Sequence, residues 1–61
     1  MLSSQLLCDM LRQSSASSYD KNVLMLILCE SKERTEGGVD YKLKNGEFVC
    51  YIVESDDWMP F

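Results

Sequence analysis

The dipeptide Asn45-Gly46 constrains the fold of this chain more than any other feature. Asn-Gly is the preferred pair for a two-residue type I′ turn, in which both central residues have positive φ. Alternating apolar residues flank the pair, so we predict a β-hairpin over about residues 39–53. In the register that places Lys44 opposite Glu47, the core face carries Val39, Tyr41, Leu43, Phe48, Cys50 and Ile52.

The second strand of this hairpin is apolar on its other side as well. In the same register, Val49, Tyr51 and Val53 face away from the core. An apolar sheet face of this kind needs cover. The C-terminal residues of the chain, a second copy in a homodimer, or a partner protein could each provide it. Val49, Tyr51 and Val53 are therefore an alternative candidate interface.

An amphipathic helix is predicted for the N-terminal segment, from Leu2 to Gln13. Its apolar residues recur with the 3.6-residue period of a helix, and polar residues occupy the other side. We expect this apolar stripe to pack on the hairpin. The stripe contains Leu2, Leu6, Leu7, Met10 and Leu11.

Residues 19–36 fit either a helix or a strand, because residues 23–29 are apolar on every side and show no period. Leu and Met outnumber β-branched residues there, which favours a helix. Ser17 is a capping residue at a suitable start, and Gly37-Gly38 would provide the end. A strand over residues 22–30 is the alternative.

These elements predict an α+β fold, with one or two N-terminal helices packed on the antiparallel hairpin. Residues 1–54 would form a single small globular domain, and residues 55–61 a C-terminal acidic and apolar tail. A chain of 61 residues buries a modest share of its surface, so partners often contribute to the stability of such domains.

Composition argues against several classes of function. Ten acidic and six basic residues give a net charge of −4 with no basic stripe, so no direct contact with nucleic acid is expected. No apolar run approaches the ~20 residues of a membrane span. The three cysteines, an odd number without a secretory signal, suggest reduced thiols and a cytoplasmic location.

The sequence also lacks the groups that catalysis or metal binding would use. It contains no histidine, no phosphate-binding glycine loop and no nucleophile motif. Cys8, Cys29 and Cys50 are far apart in sequence and have no obvious fourth ligand. We therefore expect a protein that is not an enzyme and that needs no cofactor or metal.

The last six residues have the composition of a peptide that a pocket recognises. Two carboxylates precede an apolar segment with a proline, and the terminal phenyl ring lies beside a free carboxylate. The expected partner is a protein with a basic-rimmed hydrophobic pocket. The candidate partner-binding residues are Asp56, Asp57, Trp58, Met59, Pro60 and Phe61. The competing interpretation is that the same residues complete the core of the domain.

This hexapeptide resembles the C-terminal tip of bacterial single-stranded-DNA-binding proteins, a run of aspartates followed by an apolar residue, proline and phenylalanine. The resemblance covers these residues alone, and Trp58 and Met59 depart from it. Such tips recruit DNA-maintenance proteins, including exonuclease I and RecQ-type helicases. The resemblance implies that Phe61 enters a pocket, that its carboxylate meets a cation, and that Asp56 and Asp57 follow a basic ridge. The chain would act as a decoy, inhibitor or adaptor, of phage or mobile-element origin.

Overall fold

A four-stranded antiparallel sheet with two helices on one face forms the fold, in a computed structural model that describes residues 2–61. This arrangement confirms the predicted α+β class. The strands lie in sequence order across the sheet. The elements are α1 (Ser4–Gln13), α2 (Ser18–Leu28), β1 (Cys29–Thr35), β2 (Gly38–Leu43), β3 (Phe48–Ile52) and β4 (Asp57–Pro60).

The hairpin is present as β2 and β3, but its predicted register is wrong by one residue. Tyr41 pairs with Val49 rather than with Cys50. The connection is a three-residue loop, because the Leu43 N–H donates to the Glu47 carbonyl at 2.7 Å and the Gly46 N–H donates to the Leu43 carbonyl at 3.0 Å. Among the described loop residues, Gly46 has positive φ (89°) and Asn45 does not, which excludes a type I′ turn.

This one-residue shift in register exchanges the side chains on the two faces of β3. Val49 and Tyr51 face the helices and are buried. The remaining residues of β3, which the sequence placed in the core, are half-buried on the outer face of the sheet. They are Phe48, Cys50 and Ile52.

Helix α2 begins where the sequence predicts, since the Ser17 hydroxyl accepts a hydrogen bond from the Asp20 N–H at 3.1 Å. It ends at Leu28, eight residues before the predicted end at residue 36. The chain then continues directly as β1, which pairs with β2. The predicted helix is therefore confirmed in its first part and wrong beyond Leu28. The pairing with β1 provides hydrogen-bond partners for the backbone N–H and C=O groups on the edge of β2 that faces away from β3.

Helix α1 packs over β4 and β3, while α2 contacts β1. Ser3 caps α1, because its hydroxyl accepts from the Leu6 N–H at 3.2 Å. Of the predicted apolar stripe, Leu7 and Leu11 are buried, and Cys8 joins them. The other three leucine and methionine positions are exposed, so that part of the prediction is wrong. They are Leu2, Leu6 and Met10.

One hydrophobic core lies between the helices and the inner face of the sheet. The helices contribute Leu7, Cys8, Leu11 and Met25, and the sheet contributes Tyr41, Leu43, Val49, Tyr51 and Trp58. Trp58 is the largest fully buried side chain among them. The C-terminal segment thus supplies a central part of the core.

Candidate functional site

The C-terminal segment forms the fourth strand of the sheet. Strand β4 pairs antiparallel with β3, so that Trp58 lies beside Tyr51 and Met59 lies beside Cys50. Side chains alternate between the two faces of a strand. Trp58 therefore points to the helices, whereas Met59 and Phe61 point to the outer face of the sheet.

Trp58 fills the centre of the core, with 1% of its surface exposed. Its ring centroid lies 4.6 Å from that of Tyr51 and 6.1 Å from that of Tyr41. An aromatic side chain buries about 150–250 Å², which contributes about 4–6 kcal/mol to folding at ~25 cal/mol per Å². The role of Trp58 is consequently to hold β4 on the fold.

The two aspartates ahead of Trp58 are held by contacts within the chain. Asp56 Oδ1 accepts hydrogen bonds from the Ser18 hydroxyl at 2.6 Å and the Tyr51 hydroxyl at 2.8 Å. Asp57 Oδ1 accepts from Arg12 Nε at 3.2 Å. These carboxylates tie the start of β4 to both helices, so they are already engaged before any partner arrives.

A second carboxylate anchor joins α1 to the hairpin loop. Glu47 Oε1 accepts a hydrogen bond from the Ser4 N–H, at the start of α1, at 2.6 Å. This contact lowers the pKa of Glu47 from its ordinary value of 4.5. The bonds from Ser18 and Tyr51 likewise lower the pKa of Asp56 from its ordinary 3.8. In both cases the hydrogen bonds of the folded chain stabilise the charged form of the carboxyl group.

We expect the protein to lose stability as the pH falls below about 4.5. A carboxyl whose pKa is lower in the folded chain contributes stability that is present above its unfolded pKa and lost as the pH falls through its folded pKa. Asp56 and Glu47 both behave in this way. Thermal melts followed by circular dichroism should show a steeper acid limb for the wild type than for an Asp56→Asn, Glu47→Gln double variant. Identical acid limbs would show that these anchors do not set the pH response.

An apolar surface covers the outer face of β3 and β4, and we call it the outer patch. The Phe61 ring stacks on Phe48, with centroids 5.3 Å apart. Phe61 is 64% exposed and Met59 is 46% exposed. The outer patch consists of Phe48, Cys50, Ile52, Met59 and Phe61.

The terminal carboxylate is carried by Phe61, a residue of the outer patch. The Phe61 N–H donates to the Phe48 carbonyl at 3.1 Å, which fixes the backbone of the last residue. Within residues 2–61, no Lys or Arg side chain forms a salt bridge with this carboxylate. The chain end therefore combines an exposed ring with a charge that has no cationic partner in the described chain.

The structure places the other candidate interface mostly inside the protein. Val49 and Tyr51 are buried beneath the helices, so the expectation that they face outward is wrong. Val53, beyond the end of β3, is exposed. The sequence pattern assigns the residues of the open face to the core, because it does not distinguish the two- and three-residue loops at Asn45-Gly46.

No three Cys, Asp or Glu side chains of residues 2–61 come together as a metal site. Cys8 is buried and burial raises the pKa of its thiol, whereas Cys29 and Cys50 are half-buried. A raised pKa disfavours the reactive thiolate. In the same residues, neither helix has the length and hydropathy needed to cross a bilayer.

Comparisons with known proteins give no match to this chain. No protein-family model fits it, and neither the curated proteins nor the solved structures contain a significant relative.

Proposed function

We propose that this chain is a small, non-catalytic, cytoplasmic protein that binds a protein partner through its C-terminal end and the outer patch. One observation carries the proposal. Phe61 is 64% exposed on an otherwise regular sheet face, where its ring stacks on the half-buried ring of Phe48. Isolated apolar side chains are common on protein surfaces, but a contiguous apolar patch is typical of interaction sites.

The chemistry of the site indicates the kind of partner. An exposed phenyl ring provides a large apolar contact, and a carboxylate is best bound by an Arg or Lys side chain. The chain carries a net charge of −4, which favours approach to a basic surface. The partner in this proposal has a hydrophobic pocket for Phe61 and a cation at the rim of that pocket.

We further propose that binding leaves β4 in the sheet. Releasing residues 56–61 as a free peptide would expose Trp58, at a cost of about 4–6 kcal/mol. A domain of 61 residues has a total stability of only about 3–9 kcal/mol. Met59 and Phe61 can contact a partner without that cost, because they already face outward. The acidic residues Asp56 and Asp57 then act as internal anchors.

The segment Met59-Pro60-Phe61 suggests a specific class of partner. It resembles the end of single-stranded-DNA-binding proteins, so the proposed partner is a DNA replication or repair protein with a pocket for that tip. The chain would occupy the pocket as a decoy, inhibitor or adaptor. A phage or mobile-element origin is consistent with such a role. Because β4 is already paired with β3, the segment loses little conformational freedom on binding.

A competition assay tests this proposal. A labelled single-stranded-DNA-binding-protein tip peptide is bound to exonuclease I, and its fluorescence anisotropy is followed as the unlabelled chain is added. We expect displacement at about micromolar concentrations, as is typical of short tails. Deleting Phe61 should abolish displacement of the peptide, because it removes the phenyl ring and shifts the terminal carboxylate by one residue.

Ile27→Ala is the matched control for that deletion. Ile27 is also a large exposed apolar residue, at 69%, but it lies on α2, on the opposite side of the sheet. This variant should displace the tip peptide as the wild type does. Circular dichroism should show that the Phe61-deleted chain keeps its fold. Equal displacement by the intact and deleted chains, or unfolding of the deleted chain, would count against the proposal.

A further inference from the structure

A cleft of ≈ 340 Å³ opens between α2 and β1, on the face of the sheet opposite the outer patch. One wall is a stripe of three α2 residues, Tyr19, Val23 and Leu26, spaced as i, i+4 and i+7. Such spacing places them on one side of the helix. The other wall is lined by Lys32 and Arg34 of β1.

The two cations face the cleft because of the register of β1. Lys32 pairs with Tyr41, and Arg34 pairs with Val39, and both partners lie on the inner face of the sheet. Neither cation takes part in a salt bridge within residues 2–61. The salt bridges there join Arg12 to Asp9, Arg12 to Asp57 and Lys42 to Glu30.

Other polar groups along the cleft already have partners. The Tyr41 hydroxyl donates to Asn22 Oδ1 at 2.6 Å, and Asn22 Nδ2 donates to the Ser18 carbonyl at 2.8 Å. The Tyr51 hydroxyl donates to Asp56. What the cleft offers to a ligand is therefore two cations and an apolar wall.

Charges on an edge strand also have a protective role, because they discourage pairing with other chains. Strand β1 is an edge strand, so this role accounts for its charged residues. It does not account for the apolar stripe opposite them, in which Tyr19 is 77% exposed. An open apolar wall facing unpaired cations is typical of a site for an amphipathic anion.

We propose that this cleft binds a carboxylate carried on an apolar body. The Arg34 guanidinium can hold a carboxylate through two parallel hydrogen bonds, and the Lys32 ammonium adds a second charge. The apolar body lies against Tyr19, Val23 and Leu26. The cleft volume falls within the ~300–1,000 Å³ range of small-ligand sites.

Chemical-shift mapping on the uniformly ¹⁵N-labelled chain tests the proposal. N-acetylphenylalanine and octanoate are the probes, and the neutral amide of N-acetylphenylalanine is the control. We expect shifts centred on residues 19–26 and 32–34, with a dissociation constant of about a millimolar for ligands of this size. The acid should bind about tenfold more tightly than the amide. The relative affinity of the two acids distinguishes a peptide-like from a lipid-like ligand.

Paired variants assign the binding to the two cations. Lys32→Gln with Arg34→Gln should weaken binding of the acid at least about tenfold. Lys44→Gln, which neutralises a cation in the hairpin loop, should leave it unchanged. Arg34→Lys keeps the charge without the two-bond geometry and should give an intermediate affinity.

Three results would overturn the proposal. The first is equal binding of acid and amide, and the second is unchanged binding by the double variant. The third is an absence of shifts for both acids at about 10 mM, well above the expected dissociation constant. In that third case the cations on β1 serve only to protect the edge of the sheet.

Discussion

Trp58→Ala is expected to remove most of the stability of this protein. Substitution of a buried tryptophan by alanine costs about 3–5 kcal/mol, because contacts are lost and a cavity remains. The free energy of unfolding of the whole domain is only about 3–9 kcal/mol. The loss should be large because Trp58 contacts the rings of both Tyr41 and Tyr51 and holds β4 against the helices. Urea unfolding followed by circular dichroism measures it.

Trp58→Phe is the matched variant for this test. Among the described residues, Trp58 Nε1 is a buried donor without a hydrogen-bond partner. Such a donor destabilises the folded state by about 1–3 kcal/mol, and phenylalanine removes it while keeping a ring in the core. We expect Trp58→Phe to lower the free energy of unfolding by less than half as much as Trp58→Ala does. Similar stability for the wild type and Trp58→Ala would mean that β4 is not part of the core.

Gly38→Ala is expected to disrupt the sheet. A Cβ atom at Gly38 would overlap the backbone carbonyl oxygen of Tyr51 on the neighbouring strand. Gly38 pairs with Ile52 at one end of the ladder that joins the two central strands, so relief of the overlap requires β2 and β3 to separate there. Backbone atoms cannot move aside as a side chain can. We expect the free energy of unfolding to fall by several kcal/mol, which is among the largest effects that single substitutions produce.

The neighbouring glycine provides the control for this substitution. A Cβ atom at Gly37 would have no neighbour within 4 Å, and the φ angle of Gly37 lies outside the left-handed region. Gly37→Ala should therefore leave the urea midpoint close to the wild-type value. If Gly38→Ala proved equally harmless, the close approach of β2 and β3 at this position would be incorrect.

The position of the hairpin could be predicted from the sequence, but its register could not. Asn45-Gly46 signals a reversal in either of two loops. A two-residue type I′ turn needs positive φ at both residues, and a three-residue loop needs it at the glycine alone. The structure uses the second, with the Asn45 side chain accepting from the Glu47 N–H at 2.9 Å. One residue of difference exchanges the two faces of β3.

Strand β1 could not be recognised from local pattern. After the half-buried Cys29, its residues are polar or charged and exposed on both faces, so it has no alternation of apolar and polar residues. Glu30 and Arg34 also have the spacing of a favourable helical pair. The strand exists because β2 offers an unpaired edge, which is a tertiary effect.

The chemistry of the C-terminal segment is compatible with a recognition peptide or with a part of the core, and the sequence does not divide its residues between the two roles. Pairing with β3 separates the residues by face, so that Trp58 enters the core while Met59 and Phe61 remain outside. Asp56 and Asp57 form hydrogen bonds with residues of the helices. Only a structure with β4 in place shows this separation.

The proposed mode of binding keeps Trp58 in the core while Phe61 is free to bind a partner. Trp58 is the only tryptophan, so a chain labelled with 5-fluorotryptophan gives a single ¹⁹F resonance in the folded protein. We expect that resonance to be shielded from a soluble paramagnetic agent, equally in the intact chain and in the chain without Phe61. A resonance as accessible as that of free fluorotryptophan, in either chain, would contradict this mode of binding.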